Sequence, residues 1–481
     1  MTPASGPKTD HGSGSGSVPD KGVLRRGRLR PPTPPDRGRP RALHFDGWLL
    51  ATAVVAASAL LFKLWIALRT IGTNDVLLWE HFLAHLKTYG ALSLYGHVYF
   101  FNHPLMFFNH PPFMVHVLTV LDSLTSLTGL PFAFWLRLPG IVADLASLVL
   151  LWRILEAGTA TMSRRTALIL FAGASTSIMV SGFHGNTDPI MVAFLLLSIM
   201  LLGRGHATWL AGAAFGMSMN VKAWPVVFVP AIYAYLPDRR RRLAYFAAAG
   251  AVFLVAGMPY VLQEPRLILE KVFNYPSLYG HWGLSRLTTW LASTVDALAP
   301  LDMAYARLGR MLLLLVIVVI SFRMDRAREK PPLYLQCGVI AFTFVAFAPG
   351  FGVQYLAWLV PWVVGLGVWP TLTFYATSGV FLFLVYNFWA QEFPWNLADS
   401  IRVGEWHGFL IFFEVLCWVS VLVILVLLLR SAGVFSHRGL DRGPAVPLSI
   451  SSGEPRSDRG PAVASPSGSS NTGPAEGEPF D

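Results

Sequence analysis

Apolar runs close to the length of a bilayer span recur from Gly47 to Leu429. About 20 consecutive apolar residues make a helix that crosses the hydrocarbon. Backbone polar groups in lipid must be satisfied within each segment, so repeated runs of this kind predict an all-α polytopic membrane protein. Charge agrees. Only 13% of the 481 residues are charged, against about 25% in soluble domains. The sixteen Trp and fourteen Tyr suit interfacial belts. A net charge of +10 would suggest nucleic acid in a soluble chain. Here the basic residues sit in tails and short loops, where they set topology. The expected partner is therefore the lipid bilayer and not nucleic acid. Cys337 and Cys417 lie inside apolar runs and form neither a disulfide framework nor a metal pattern.

Residues 1–46 are rich in Gly, Ser, Pro and Arg, and residues 431–481 read the same way. Such composition cannot bury a core. Both segments are expected to be disordered cytoplasmic tails around a membrane domain at 47–430, with no cleavable leader. The basic clusters settle parity. Arg164-Arg165, Arg204, the run Asp238 to Arg242 and the run Arg323 to Lys330 all belong in the cytoplasm. They do so only if Phe113 to Leu130, which contains His116 and Asp122, lies in the interface as an amphipathic or re-entrant helix. About 12 spans then follow, with both termini inside.

That topology gathers the polar turns on the extracytoplasmic face. They are Gly72 to Pro112, His184 to Pro189 (HGNTDP), Asn220 to Pro225 (NVKAWP), Tyr275 to Arg286 and Ala348 to Tyr355. Asp75 is placed to act as a general base at an acceptor hydroxyl, or to cap the helix that follows Thr73 and Asn74. Glu80 lies off that helix's apolar face. His103 and His110 precede prolines and are candidates to contact phosphate or sugar. With Asp75 they could also gather a divalent metal, although the spacing indicates none, and no cofactor is expected. In HGNTDP, Asp188 before Pro189 is a natural N-cap, and His184 and Asn186 are free for a ligand. Lys222 is expected to open a helix at a recessed turn, where a helix N-terminus and an ammonium together attract an anion. His281, Arg286 and Gln354 come from the last two turns. Within the spans, Arg137 sits near an outer end and can join the site, Asp144 is expected to pair with a neighbouring helix, and Lys63 to snorkel.

Taken in order, NDVLLWEH, HPPF, WLRLPGIVADLASL, HGNTDPIMVAFLLLSIML, NVKAWPVVFVPAIY and PGFGVQYLAWLVPW resemble the GT-C fold membrane glycosyltransferases. Within that class they resemble the dolichyl-phosphate-sugar-dependent enzymes of the endoplasmic reticulum and their bacterial relatives. The resemblance covers most of Gly47 to Leu429. It implies a GT-C-like bundle with a large first external loop containing interfacial helices. It also implies inverting transfer of a hexose, of mannose or glucose type, from a polyprenyl-phosphate sugar to a glycan, glycolipid or protein acceptor at the extracytoplasmic face of the cell membrane. Asp75 would be the general base, and Lys222 and Arg286 would stabilise the leaving phosphate. Many members carry a paired acidic motif. Here Asn74 precedes Asp75 and Glu80 follows five residues on, which leaves the role of Glu80 open. The competing class is a transporter or flippase of lipid-linked sugars. Such proteins place ionisable groups near the midplane and often show inverted repeats.

Overall fold

The computed structural model describes residues 47–96, 107–156, 162–275, 277–401 and 406–434. The N-terminal tail, nearly all of the C-terminal tail and His103 lie outside the described residues.

The chain opens with α1 (Gly47–Arg69), then β1 (Gly72–Thr73), α2 (Asn74–Tyr89) and the single turn α3 (Ser93–Gly96). α4 (Phe113–Thr128) starts after Pro111-Pro112, and α5 (Phe132–Leu155) follows it. Ser163 caps α6 (Arg164–Ala172), which continues through α7 (Ser175–Met179) and a π turn at Val180–His184. Next come α8 (Asp188–Gly203), α9 (Thr208–Val221), a 3-10 turn at Trp224–Phe228, and α10 (Val229–Tyr235). Asp238 accepts from the Arg241 N–H and caps α11 (Arg239–Gln263). The chain then forms α12 (Pro265–Phe273), β2 (Leu278–Tyr279), α13 (Gly283–Thr294), α14 (Ala299–Asp325) and α15 (Leu333–Phe347). It ends with β3 (Gly350–Phe351), a 3-10 turn at Val353–Trp358, α16 (Val360–Val363), α17 (Val368–Ala390), β4 (Leu397–Ala398) and α18 (Gly408–Ser431).

Most apolar runs expected to span are α-helical, but 224–235 and 353–363 are 3-10 turns followed by the short α10 and α16, which leaves fewer than 12 long helices among the described residues. Among the described residues, seven helices are long and apolar enough to cross a membrane: α1, α5, the Arg164–His184 segment, α11, the Asp296–Asp325 segment, α17 and α18. α8, α9 and α15 have 16, 14 and 15 residues, which at about 1.5 Å per residue falls short of a hydrocarbon core of about 30 Å. α8 and α15 bury residues on all sides, as their uniform apolarity demands. α9 packs on α11 through a small-xxx-small pair. A Cβ on Gly212 would stand 2.1 Å from the Tyr245 carbonyl oxygen, and one on Gly216 2.5 Å from that of Ala249. Only glycine lets the two backbones approach this closely.

The helix ends sort by charge. Glu156 pairs with Arg164 at 2.9 Å and also with Arg204. Lys330 donates to the carbonyls of Ala234 and Tyr235. These join the ends of α5, α8 and α10 to the starts of α6 and α15. The opposite ends of the same helices carry the polar turns. α4 is amphipathic, burying Met114, Val115, Leu118 and Leu121 while Leu127 is 82% exposed. An exposed Lys87–Asp122 pair at 3.0 Å ties it to α2.

Two interior charges differ from expectation. Lys63 does not snorkel. It is buried and bonds Asp144 at 2.7 Å and Ser177 at 2.8 Å, while Ser177 and Ser181 donate to Asp144. Asp144 thus pairs with a neighbouring helix. Arg137 does not face a ligand. It is fully buried, and its guanidinium donates to the carbonyls of Ala67, Thr70, Gly182 and Phe183 and to the Thr70 hydroxyl. It therefore ties the end of α1 to the π turn. Arg137→Met strands these acceptors and is expected to cost about 3 kcal/mol or more, read as a lowered unfolding temperature in detergent.

Candidate functional site

The short link between α1 and α2 sets the geometry. β1 pairs in parallel with β4, Gly72 opposite Leu397 and Thr73 opposite Ala398. Asn74 Oδ1 accepts from the Ser400 N–H at 3.2 Å and its hydroxyl at 2.9 Å. Thr73 is the N-cap of α2, its Oγ1 accepting from the Asp75 N–H at 3.3 Å. That removes one of the two roles open to Asp75. Threonine does the capping, and the carboxylate is released to other partners.

Those partners come from the π turn. The Asp75 Oδ2 lies 3.1 Å from His184 Nε2 and 3.4 Å from Asn186 Nδ2. The other ring nitrogen of His184, Nδ1, lies 2.9 Å from the Tyr386 hydroxyl on α17. Gly185 makes the reversal possible. Its φ is +82°, and a Cβ there would meet Val76 Cγ2 at 2.3 Å. Glycine adopts that backbone at no steric cost. Gly185→Ala is expected to displace His184 and Asn186 from Asp75 and to lower turnover about 100-fold, as misplacement by about 1 Å can. Steady-state kinetics on the folded variant measures it.

These groups open on a cavity of about 360 Å³, lined among others by Asp75, His110, His184, Asn186, Lys222, His281 and Gln354. Polar and aromatic residues from five stretches of chain meet there, as the expected topology requires. Lys222 ends α9 in an extended conformation. It does not open a helix, so the expected helix N-terminus is replaced by a C-terminus. Its ammonium is held by Asp188 and stands 5.7 Å and 5.8 Å from the ring centroids of Tyr355 and Trp358, within the range at which an aromatic face attracts a cation. His110 is buried beside Trp79, ring centroids 4.5 Å apart. Burial and the nearby Lys222 charge push its imidazole down to about 3, so it is neutral at neutral pH. Burial pulls the Asp75 carboxyl upward. The His184 hydrogen bond and the Lys222 charge oppose that, and the carboxyl is held below the usual carboxylate range. It is ionised at neutral pH.

The remaining expected residues sit elsewhere. Asp188 is completely buried beneath Lys222. It occupies the first turn of α8 after Thr187, which is the N-cap, so it anchors the lysine and caps nothing. Arg286 does not line the cavity. Its guanidinium pairs with Glu414 and lies 5.5 Å from the ring centroid of Trp406. Glu80 is exposed on α2, away from the cavity. Arg137 is the clamp described above. Among the described residues, no three His, Cys, Asp or Glu side chains gather as a metal site.

The cavity also takes Trp389 from the end of α17, and Ser400, Ile401 and Trp406 from the link between α17 and α18. Sequence reasoning passed over this stretch because it holds no basic or histidine-rich pattern facing a phosphate. Its signal was available nonetheless: QEFPWNLADS is polar and aromatic and falls on the same side as the other polar turns.

Chemically, the arrangement offers an ionised carboxylate, an ammonium in the same cavity, imidazoles and amides for hydrogen bonding, and indole and phenol walls for an apolar ring face. No curated protein matches the chain. A family model described as glycosyltransferase family 87 matches residues 107–349. The match includes His110, His184, Asn186, Asp188 and Lys222 and begins after Asp75. It spans just over half of the chain, which therefore belongs to glycosyltransferase family 87 and is a multi-pass membrane glycosyltransferase.

Proposed function

We propose that this enzyme moves a hexose, of mannose or glucose type, from a polyprenyl-phosphate sugar to a hydroxyl of an extracytoplasmic acceptor, with inversion at the anomeric carbon. One observation carries the reading: the ionised Asp75 and the ammonium of Lys222 line the same cavity. In the proposed step the acceptor oxygen attacks the anomeric carbon as its proton passes to Asp75 Oδ1. The bond from that carbon to the phosphate oxygen breaks, and the lipid phosphate leaves with the electron pair. Lys222 meets the charge that develops there, which is where fixed electrostatics accelerate a reaction most. Trp389 and Trp406 provide walls for the sugar. Arg286, paired with Glu414, is given no part in holding phosphate.

The test is transfer of label from a panel of polyprenyl-phosphate hexoses by the purified protein, compared with Asp75→Asn. Transfer that requires Asp75 supports the reading. Wild-type turnover by the variant removes Asp75 as base, and failure with every such donor removes the donor class.

The charge sorting of the helix ends supports placing the basic ends in the cytoplasm and the cavity outside. α4 then lies along the outer interface. A cysteine at Asp122 is expected to react with an impermeant maleimide added outside intact cells. Labelling only after permeabilisation would reverse this topology.

A further inference from the structure

Asp75 accepts two hydrogen bonds at one oxygen, from His184 and Asn186. His184 is 3% exposed and Tyr386 is fully buried. The Tyr386 ring packs among Phe183, Trp389 and Trp395, with centroids 5.2, 6.1 and 5.5 Å away. The backbone of His184 is fixed as well. Its carbonyl accepts from the Thr73 hydroxyl at 2.7 Å, and Arg137 holds the carbonyls of Gly182 and Phe183 just before it. The threonine that caps α2 is thus bonded to the residue that touches Asp75.

We infer that His184 is the positioning residue for Asp75, kept in a single tautomer by Tyr386. This rests on Asp75 being the base. A bare Nε2 lone pair facing Oδ2 at 3.1 Å would set two acceptors against each other. Nε2 therefore carries the proton and donates to the carboxylate, and Nδ1 accepts from the Tyr386 hydroxyl. A histidine's tautomer is set by the partner of its other nitrogen. With Oδ2 taken by His184 and Asn186, Oδ1 is the oxygen left for the acceptor hydroxyl. The carboxylate is held ready, and substrate need not reorient it. His184 touches neither sugar nor phosphate in this scheme. It acts through Asp75, a role beyond the ligand contact expected for it.

Other charged or titratable groups also face Asp75. Lys222 and His110 approach from the α9 end and the segment before α4, with Asp188 behind Lys222. The phenols of Tyr275 and Tyr355 border the same cavity. Burial drives the Asp75 carboxyl up, and the His184 hydrogen bond is the first influence opposing it. Loss of His184 therefore moves the acid limb of the rate profile to higher pH, whereas a purely structural histidine would leave that limb in place.

The experiment uses the full chain in nanodiscs with a polyprenyl-phosphate hexose that the wild type transfers. His184→Ala is expected to lower kcat about 100-fold, leave the KM for donor unchanged and raise the pH of the acid limb. His184→Gln keeps a donor toward Asp75 and is expected to recover at least about tenfold of that loss. Tyr386→Phe shifts the limb in the same direction by less. A folded His184→Ala with wild-type kcat and an unmoved acid limb overturns the inference. If His184→Ala does not fold, an unmoved limb in Tyr386→Phe overturns it. Asp75→Asn separates the two layers: full activity there defeats the base itself, while an inactive Asp75→Asn beside an unaffected His184→Ala defeats only the positioning role.

Discussion

Asp75→Asn is expected to lower kcat by about 10³-fold, within the range of about 10²–10⁴ that a general base contributes, with the KM for donor little changed. The substitution is isosteric. An amide oxygen can still accept from His184 Nε2 and Asn186 Nδ2, which now lie 3.1 and 3.4 Å from Oδ2. Thr73 caps α2 without help from the Asp75 side chain. The loss to stability is that of one acid in the first turn of a helix, roughly 0.3–1 kcal/mol. A large fall in kcat with a small fall in stability separates proton transfer from folding. An interaction made only in the transition state has that signature.

The second large effect is at Lys222, where stability and activity must be separated. Lys222→Met leaves Asp188, which is completely buried, without its counter-ion. Breaking a buried pair from one side typically costs about 3–5 kcal/mol, limited here because the stranded carboxylate can take up a proton. Lys222→Met/Asp188→Asn removes the stranded charge and is expected to regain most of the stability. It is not expected to regain transfer, because the cation facing the leaving phosphate is still missing, a loss of about 10²–10³-fold by analogy with other electrostatic stabilisers. Thermal unfolding and label transfer on the two variants test this. A double variant that regains both would make Lys222 a purely structural residue.

The helices were legible because their cause is local. A bilayer-length apolar run announces itself, and the basic clusters gave a parity that the Glu156 pairs with Arg164 and Arg204 support by bringing two of them to one end. The polar turns were legible as a set for the same reason, since parity alone puts them at one end. Which ionisable residue reaches the cavity was harder to read. Arg137, Arg286 and Lys222 look equivalent in sequence, each a cation near an outer helix end. What separates them are partners distant in the chain: carbonyls from α1 and the π turn for Arg137, Glu414 for Arg286, Asp188 for Lys222. Only the last pair leaves the cation at the cavity. Capping misled at a finer scale. Thr73 and Asp75 are both good caps, and only the backbone shows that the threonine holds the position. The link after α17 went unweighed because cavity-lining Trp and Ser residues carry no spacing rule.

The proposed mechanism requires one cavity to hold both the lipid phosphate, at Lys222, and the acceptor, at Asp75. It is tested most directly by an experimental structure of Asp75→Asn in nanodiscs with a polyprenyl-phosphate hexose bound. The phosphate is expected within hydrogen-bonding reach of Lys222 Nζ, with the anomeric carbon turned toward residue 75. A phosphate seated at Arg286, or a sugar outside this cavity, would contradict it.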